Sequence, residues 1–275
     1  MTLSTIRNNP AKQKKVKTKK QKAIAATCAV AFWLLVWHVV SLCVGSELVL
    51  VSPVKVVQTL FTVILDPDFL KTVWYSAARI LGGFFTALTL GTVLGWVASR
   101  FWVVETLLRP ITAVIKATPV ASFIILVLLW FSGKNLSVII SMLMVFPVIY
   151  MNVLEGIRSA DEKLLEMAQV FRLSVGKKLL YIYLPAVAPF FVSACSVSLG
   201  LCWKSGIAAE VIGTPDGSIG AVFYQAKIFL QTSELLAWTV VVVAVSVAFE
   251  KLFMFLLRLV LKKLKMEDVL NGKRA

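Results

Sequence analysis

Residues 135–154 read Asn-Leu-Ser-Val-Ile-Ile-Ser-Met-Leu-Met-Val-Phe-Pro-Val-Ile-Tyr-Met-Asn-Val-Leu, without one charged side chain. A helix that crosses a hydrocarbon core of ~30 Å needs roughly 20 apolar residues in a row. This stretch has that length and that composition. Its N-terminal flank, Ser132-Gly-Lys-Asn135, predicts a tight turn. Before the turn lies a second apolar run, Ala117–Gly133, with Pro110 upstream and Lys116 at its start. Four more runs complete the series: Ala23–Val44, Ile80–Ser99, Leu179–Trp203 with Pro185 and Pro189 near its start, and Leu235–Phe249. The expectation is an all-α membrane protein of six transmembrane helices, its two termini on one side.

Composition agrees. Apolar residues are 59% of the 275, against roughly 45–50% in soluble domains, and charged residues are 16% against about 25%. A soluble chain of this size cannot bury that much apolar surface. The 29 Lys and Arg against 14 Asp and Glu give a net charge of +15, yet no solvated basic face for nucleic acid emerges, because the cations sit between apolar runs. Four cysteines do not make a disulfide scaffold. Most cations fall in the segments that the six-span topology places on the side of the termini. Residues 1–22 carry Arg7, Lys12, Lys14, Lys15, Lys17, Lys19, Lys20 and Lys22 and no acid. The positive-inside rule therefore puts both ends in the cytoplasm. Ala23–Val44 exceeds the 7–15 residues of a signal-peptide core, so it is read as a retained span. Residues 1–22 and 258–275 are read as basic cytoplasmic tails, the first disordered and facing lipid, with the transmembrane domain over 23–257.

Three connections carry predicted local structure. Pro53–Leu65 predicts a short surface helix with Val54, Val57, Leu60, Phe61 and Ile64 on its apolar face. Asp66-Pro67-Asp68 and Thr214-Pro215-Asp216-Gly217 predict turns. The C-terminal segment is expected to continue the last span as a helix with Lys251, Arg258, Lys262 and Lys265 along one side.

Signatures of enzymes are scarce. His38 is the single histidine and lies inside the first span. Cys28 and Cys43 are separated by about 22 Å of helical rise and cannot pair; Cys195 and Cys202 also lie in a span. There is no CxxC pair, no metal-ligand spacing and no GxxxxGK[ST] loop, so neither a metal site nor ATP binding of that kind is expected. Gly83, Ala87, Gly91 and Gly95 recur every four residues, a stripe that lets another helix approach closely. Arg79 stands one turn before it, to snorkel or to pair with an acid of the outer loop. Lys116, Lys204 and Glu210 are ionisable groups in or beside spans, hence candidates for solute contact, with structural pairing as the alternative. Trp130 and Trp203 are read as interfacial anchors.

The inner connection 155–184 is the most informative. Leu164, Leu165, Ala168 and Phe171 share one side of a helix, and Glu162, Glu166 and Gln169 the other. Interfacial helices favour Lys and Arg, so this acidic one suits a protein groove better than the bilayer. The segment resembles the cytoplasmic loop E-A-A-x-x-x-G-x9-I-x-L-P of ABC importer permeases. Glu166 stands at its Glu, Met167 and Ala168 at its Ala pair, Arg172 at its Gly, and Ile182, Leu184 and Pro185 at I-x-L-P. Met167 and Arg172 depart from the pattern. Ala117-Thr118-Pro119-Val120, Gly156-Ile157-Arg158-Ser159 and Ala209-Glu210-Val211-Ile212-Gly213 after Trp203-Lys204 resemble the nitrate/sulfonate/taurine-type branch, over about residues 50–255.

The resemblance implies a methionine-importer-like permease core in the inner membrane of a prokaryote. It implies a permease dimer, two cytoplasmic ATP-binding subunits that each receive a loop helix, and an extracytoplasmic solute-binding protein. ATP and Mg would sit on the partners, and this chain would bind no cofactor. The implied solute is a small anion or organic compound of the nitrate, sulfonate, taurine or thiamine-precursor type. An ion-coupled secondary transporter is the alternative, and it would need acids within the spans. An intramembrane enzyme would need paired catalytic groups. At Arg172, where glycine would reach positive φ freely, a negative φ is expected, with Ser174 capping a second helix by its hydroxyl and Pro185 kinking the chain.

Overall fold

A computed structural model describes residues 19–264. Every regular element among them is helical: α1 Lys19–Val44, α2 Pro53–Ile64, α3 Phe69–Arg100, α4 Trp102–Ala117, α5 Val120–Trp130, α6 Gly133–Arg158, α7 Glu162–Val170, α8 Val175–Lys178, a π turn Leu179–Tyr183, α9 Leu184–Gly213, α10 Ile219–Ile228 and α11 Thr232–Lys263. The chain divides into two units, one ending at Lys55 and one beginning at Val56.

The first unit is dominated by α1, whose Phe32, Trp33 and Leu35 are exposed. Helical backbone already begins at Lys19, within the expected tail, because nothing in Lys19–Lys22 breaks a helix. The rest of the expected N-terminal tail, together with Lys265 and the remainder of the C-terminal tail, lies outside the described residues.

In the second unit α6 lies between α3 and α9. The small residues of α3 face α6: a Cβ on Gly91 would stand 3.0 Å from Ile149 Cβ, and one on Gly95 would stand 3.0 Å from the Tyr150 carbonyl oxygen. Ala87 is completely buried in the same seam. Gly83 lies beside Val138 and Ser141, and Gly95 beside Tyr150 and Val153, so α3 and α6 run in the same direction. Gly133 meets Gly213 and Gly156 meets Val187, so α9 runs the other way. Contacts along α11 progress from Trp238 beside Ile219, through Glu250 bonded to Ser196, to Leu261 beside Ala188. It therefore returns parallel to α3 and α6. The core of this packing is Ile80, Phe84, Val145, Ile149, Leu199 and Trp203.

Two ends result. One gathers the starts of α3, α6 and α11 with α10 and the end of α9. The other carries the connection from α6 to α9.

Among the described residues five helical segments are long and apolar enough to cross a bilayer, and the bent pair α4–α5 makes up to six. The third expected span, Ala117–Gly133, is not one straight helix. Its eleven-residue α5 rises only about 16 Å. It meets α4 at a bend of 109°. Pro119 causes the break, since it supplies no N–H and holds Thr118 in an extended conformation at ψ 133°. The fifth span is longer than expected and reaches Gly213, so Lys204 and Glu210 lie inside α9. Pro185 does not interrupt it. The π turn just before it inserts one residue into the helical repeat, and Pro185 sits in the first turn of α9, where a missing N–H costs least.

α2 forms where expected, but Val56 and Val63 are its buried residues, while Val54, Val57, Phe61 and Ile64 are exposed. The sequence shows two apolar faces on this helix, and only packing chooses between them. Trp203 is 2% exposed and is a core residue, not an interfacial anchor. Its ring fills the space among α3, α6 and α9, whereas Trp130 is exposed. α11 continues as a helix through Lys263, with Lys251, Arg258 and Lys262 exposed.

Candidate functional site

The connection from α6 to α9 holds most of the singled-out residues. Asp161 opens α7 by accepting a 2.9 Å hydrogen bond from the Lys163 amide. The helix is fixed to its own chain through Ala168, fully buried against Ala160 and Ile182, with Leu165 and Leu173 around them. Its other side is free. Leu164, Met167, Val170 and Phe171 are exposed, Val170 and Phe171 at 79% and 72%. Glu162 and Glu166 are exposed beside them. The expected apolar face is thus split: Leu165 and Ala168 anchor the helix, while Leu164 and Phe171 point away. Leu184 and Pro185 are half-buried at the start of α9.

Arg172 overturns the expectation of negative φ: its φ is +50°. The reason lies in the two bonds this conformation makes. The Arg172 amide donates to the Gln169 carbonyl at 3.0 Å, and the Leu173 amide donates to the Ala168 carbonyl at 2.9 Å. That is a Schellman motif, completed by the apolar contact of Leu173 with Ala168. The last carbonyls of α7 are satisfied at the cost of a left-handed arginine. α10 ends identically, with Leu230 at φ +55°. Ser174 does occupy the cap position of α8, but its hydroxyl makes no capping bond.

At the opposite end Glu210 is completely buried. Ser76 Oγ donates to its Oε2 at 2.6 Å, and the Gly220 amide approaches the same oxygen at 3.4 Å. The Ile219 amide donates to Ser76 Oγ at 2.9 Å. The carboxylate thus pins the start of α10 to α3 and α9. Sequence reasoning named Glu210 but missed Ser76 and Gly220, since nothing in a span marks which of its serines meets an acid 134 positions away.

The three ionisable candidates do not converge. Lys116 is exposed, with Nζ 3.4 Å from Met151 Sδ. Met151 and Ser137, both on α6, are separated by about 21 Å of helical rise, and Ser137 lies on the Glu210 side. Lys204 is exposed on α9. Among the described residues Arg79 forms no ion pair with an acid; it donates to the Lys134 carbonyl and lies 4.1 Å over the Tyr75 ring. His38 sits in α1. The cysteines are free thiols, Cys195 and Cys202 buried, Cys28 and Cys43 exposed. Among the described residues no group of three His, Cys, Asp or Glu is placed to hold a metal.

Such a bundle of long apolar helices defines a multi-pass helical membrane protein. Residues 87–266 match the family of binding-protein-dependent transport system inner membrane components, and the chain belongs to that family. The chain is 30% identical over 216 residues to the aliphatic sulfonates transport permease protein SsuC of Bacillus subtilis, covering 78% of each. It is 27% identical to the taurine transport system permease protein TauC of Escherichia coli, over 78% of this chain and 80% of the relative. With the nitrate import permease protein NrtB of a Synechocystis species the identity is 26%, over 74% and 76%. The protein is a transmembrane permease of an ABC importer in the bacterial inner membrane.

Proposed function

We propose that α7 is the element through which this permease receives the work of ATP hydrolysis, and that the bundle behind it carries the solute path. The observation that carries this reading is the exposed row Leu164, Met167 and Phe171 beside Glu162 and Glu166. A soluble helix leaves such a row bare only when a partner covers it. The helix is also tethered, by Ala168 and Ile182, to the first turns of α9. A push on α7 therefore reaches a continuous 39-residue span, Val175–Gly213, which suits rigid-body rocking of a packed bundle. The basic excess of the segments at this end supports its placement in the cytoplasm.

In the complete importer two such permeases, or this chain and a close relative, face two ATPase subunits. ATP and Mg belong to those subunits, and an extracytoplasmic protein delivers solute. The names of the relatives support a small anion of the sulfonate, taurine or nitrate kind as cargo. Exposed Lys204 and Lys116 offer the positive charge such a solute needs, whereas buried Glu210 serves as a structural pin.

Glu166→Lys and Phe171→Ala test the assignment in proteoliposomes by co-purification of the ATPase subunit and by solute-dependent ATP hydrolysis. Loss of a central aromatic anchor costs about 2 kcal/mol, roughly 30-fold in affinity. Both variants are expected to insert normally and to lose coupling. Unchanged coupling in both removes α7 from the interface.

A further inference from the structure

Val247, Lys251, Phe255 and Arg258 recur at helical spacing, so they share one side of α11. All four line a cavity of about 370 Å³ between α11 and α9. Glu250 and Ser196 complete its polar wall. Ser196 Oγ donates to Glu250 Oε1 at 2.9 Å, so the carboxylate is tied to α9. Among the described residues neither Lys251 nor Arg258 is in an ion pair. The two cations are separated by about 10 Å of helical rise, and their long side chains can bend toward one charge held between them. Two cations against one carboxylate leave the lining with a net positive charge of one.

Depth and surroundings decide what such a cavity holds. α9 begins at Leu184, beside the anchor of α7, and Ala188 in its first turns meets Leu261. The cavity lies between that contact and the Glu250–Ser196 bond, in the α7 half of the bundle. Val243 and Val240 continue the stripe toward the other end and are exposed, and Leu252, Leu256 and Leu259 are exposed on the neighbouring faces. A water-soluble anion would have to cross that apolar surface to reach the cations, a costly transfer for an unpaired charge. A phospholipid meets no such barrier. Its acyl chains follow Val247, Val243 and Val240 while its phosphate sits by Arg258, with Lys251 snorkelling toward it from deeper in the membrane. The carboxylate of Glu250 disfavours a headgroup of more than one negative charge, and a phosphodiester carries one.

We infer that this cavity binds the headgroup of one singly anionic phospholipid of the inner leaflet. The leaflet rests on the proposed function, since α7 on the cytoplasmic side puts Arg258 there. Bound so, the lipid joins α11 to α9, the helix to which α7 is anchored.

The test is native mass spectrometry of the full chain released from detergent micelles and titrated with palmitoyl-oleoyl phosphatidylglycerol, phosphatidylcholine and phosphatidylethanolamine. One phosphatidylglycerol is expected to bind in preference to the other two lipids. Lys251→Gln and Arg258→Gln should each lower that preference about 5-fold, the worth of one cation beside an anionic headgroup. Arg258→Lys should keep most of it, and Glu250→Gln should raise it by removing a like charge. Arg100→Gln, at the end of α3 and outside the cavity, should leave it unchanged. Equal binding of the three lipids overturns the site. An equal loss in Arg100→Gln does so too, because it reduces the effect to general attraction by a basic surface. Displacement of the lipid by ethanesulfonate makes the cavity a solute site and overturns the lipid assignment. Loss of dimer in the cavity variants at unchanged lipid binding gives this face to a second copy, with the same consequence. Capture of the ATPase subunit by the wild-type chain is measured on the same preparation. No lipid preference with capture intact sinks the site alone. Lipid preference without capture supports the site and removes its placement in the inner leaflet.

Discussion

Replacing Arg172 by glycine should strengthen the end of α7. The left-handed conformation costs an ordinary L-residue roughly 1–2 kcal/mol, a penalty glycine escapes. Glycine also makes the unfolded segment more flexible, which returns about 0.4–1 kcal/mol. Position 172 lies beyond the last helical residue, so glycine's poor helix propensity does not enter. The net expectation is a gain of about 0.5–1 kcal/mol in local stability, or roughly 2–5-fold in an equilibrium constant. Hydrogen exchange of the amides at 172 and 173 reads this directly, because both are bonded only through the motif, to the Gln169 and Ala168 carbonyls. Arg172→Gly should slow their exchange by that factor. Arg172→Ala should not, since alanine keeps its Cβ and meets the same left-handed penalty. Equal protection in the glycine and alanine variants would refute the strain argument and leave Arg172 held by some other contact. Exchange that quickens in the glycine variant would do the same.

The seam between α3 and α6 gives an internal comparison: a Cβ on Gly91 meets Ile149 at 3.0 Å, while one on Gly82 meets nothing within 4 Å. Gly91→Ala should cost about 1–3 kcal/mol by overpacking, and Gly82→Ala should be neutral or stabilising; thermal unfolding in detergent separates them. Ser76→Ala removes both a donor to Glu210 and an acceptor for Ile219, at about 1–3 kcal/mol. In a double-mutant cycle with Glu210→Gln the two losses should fall short of additivity, and strictly additive unfolding free energies would show that the pair does not interact.

Some of this protein is written locally and some is not. An apolar run such as residues 135–154 has few alternatives to a helix in lipid, because every backbone polar group must be satisfied within the segment. The small residues at 83, 87, 91 and 95 likewise mark a close approach whichever partner fills it. α7 is legible because its start, its two faces and its end lie within about a dozen residues. The sequence alone therefore determines a multi-pass helical protein with one short acidic helix outside its spans.

Where two local readings compete, only the assembled bundle decides. α2 has two apolar faces, and its neighbours bury Val56 and Val63, leaving Val57 and Phe61 bare. Trp203 has the composition of an anchor and the position of a core residue, since α9 runs on for ten residues past it. Arg172 is assigned by propensity to negative φ, but two hydrogen bonds and the packing of Leu173 outweigh a penalty of about 1–2 kcal/mol. The Glu210 pin draws on helices far apart in the chain. Such juxtapositions depend on how helices cross, which pairwise packing sets and no local window of sequence contains.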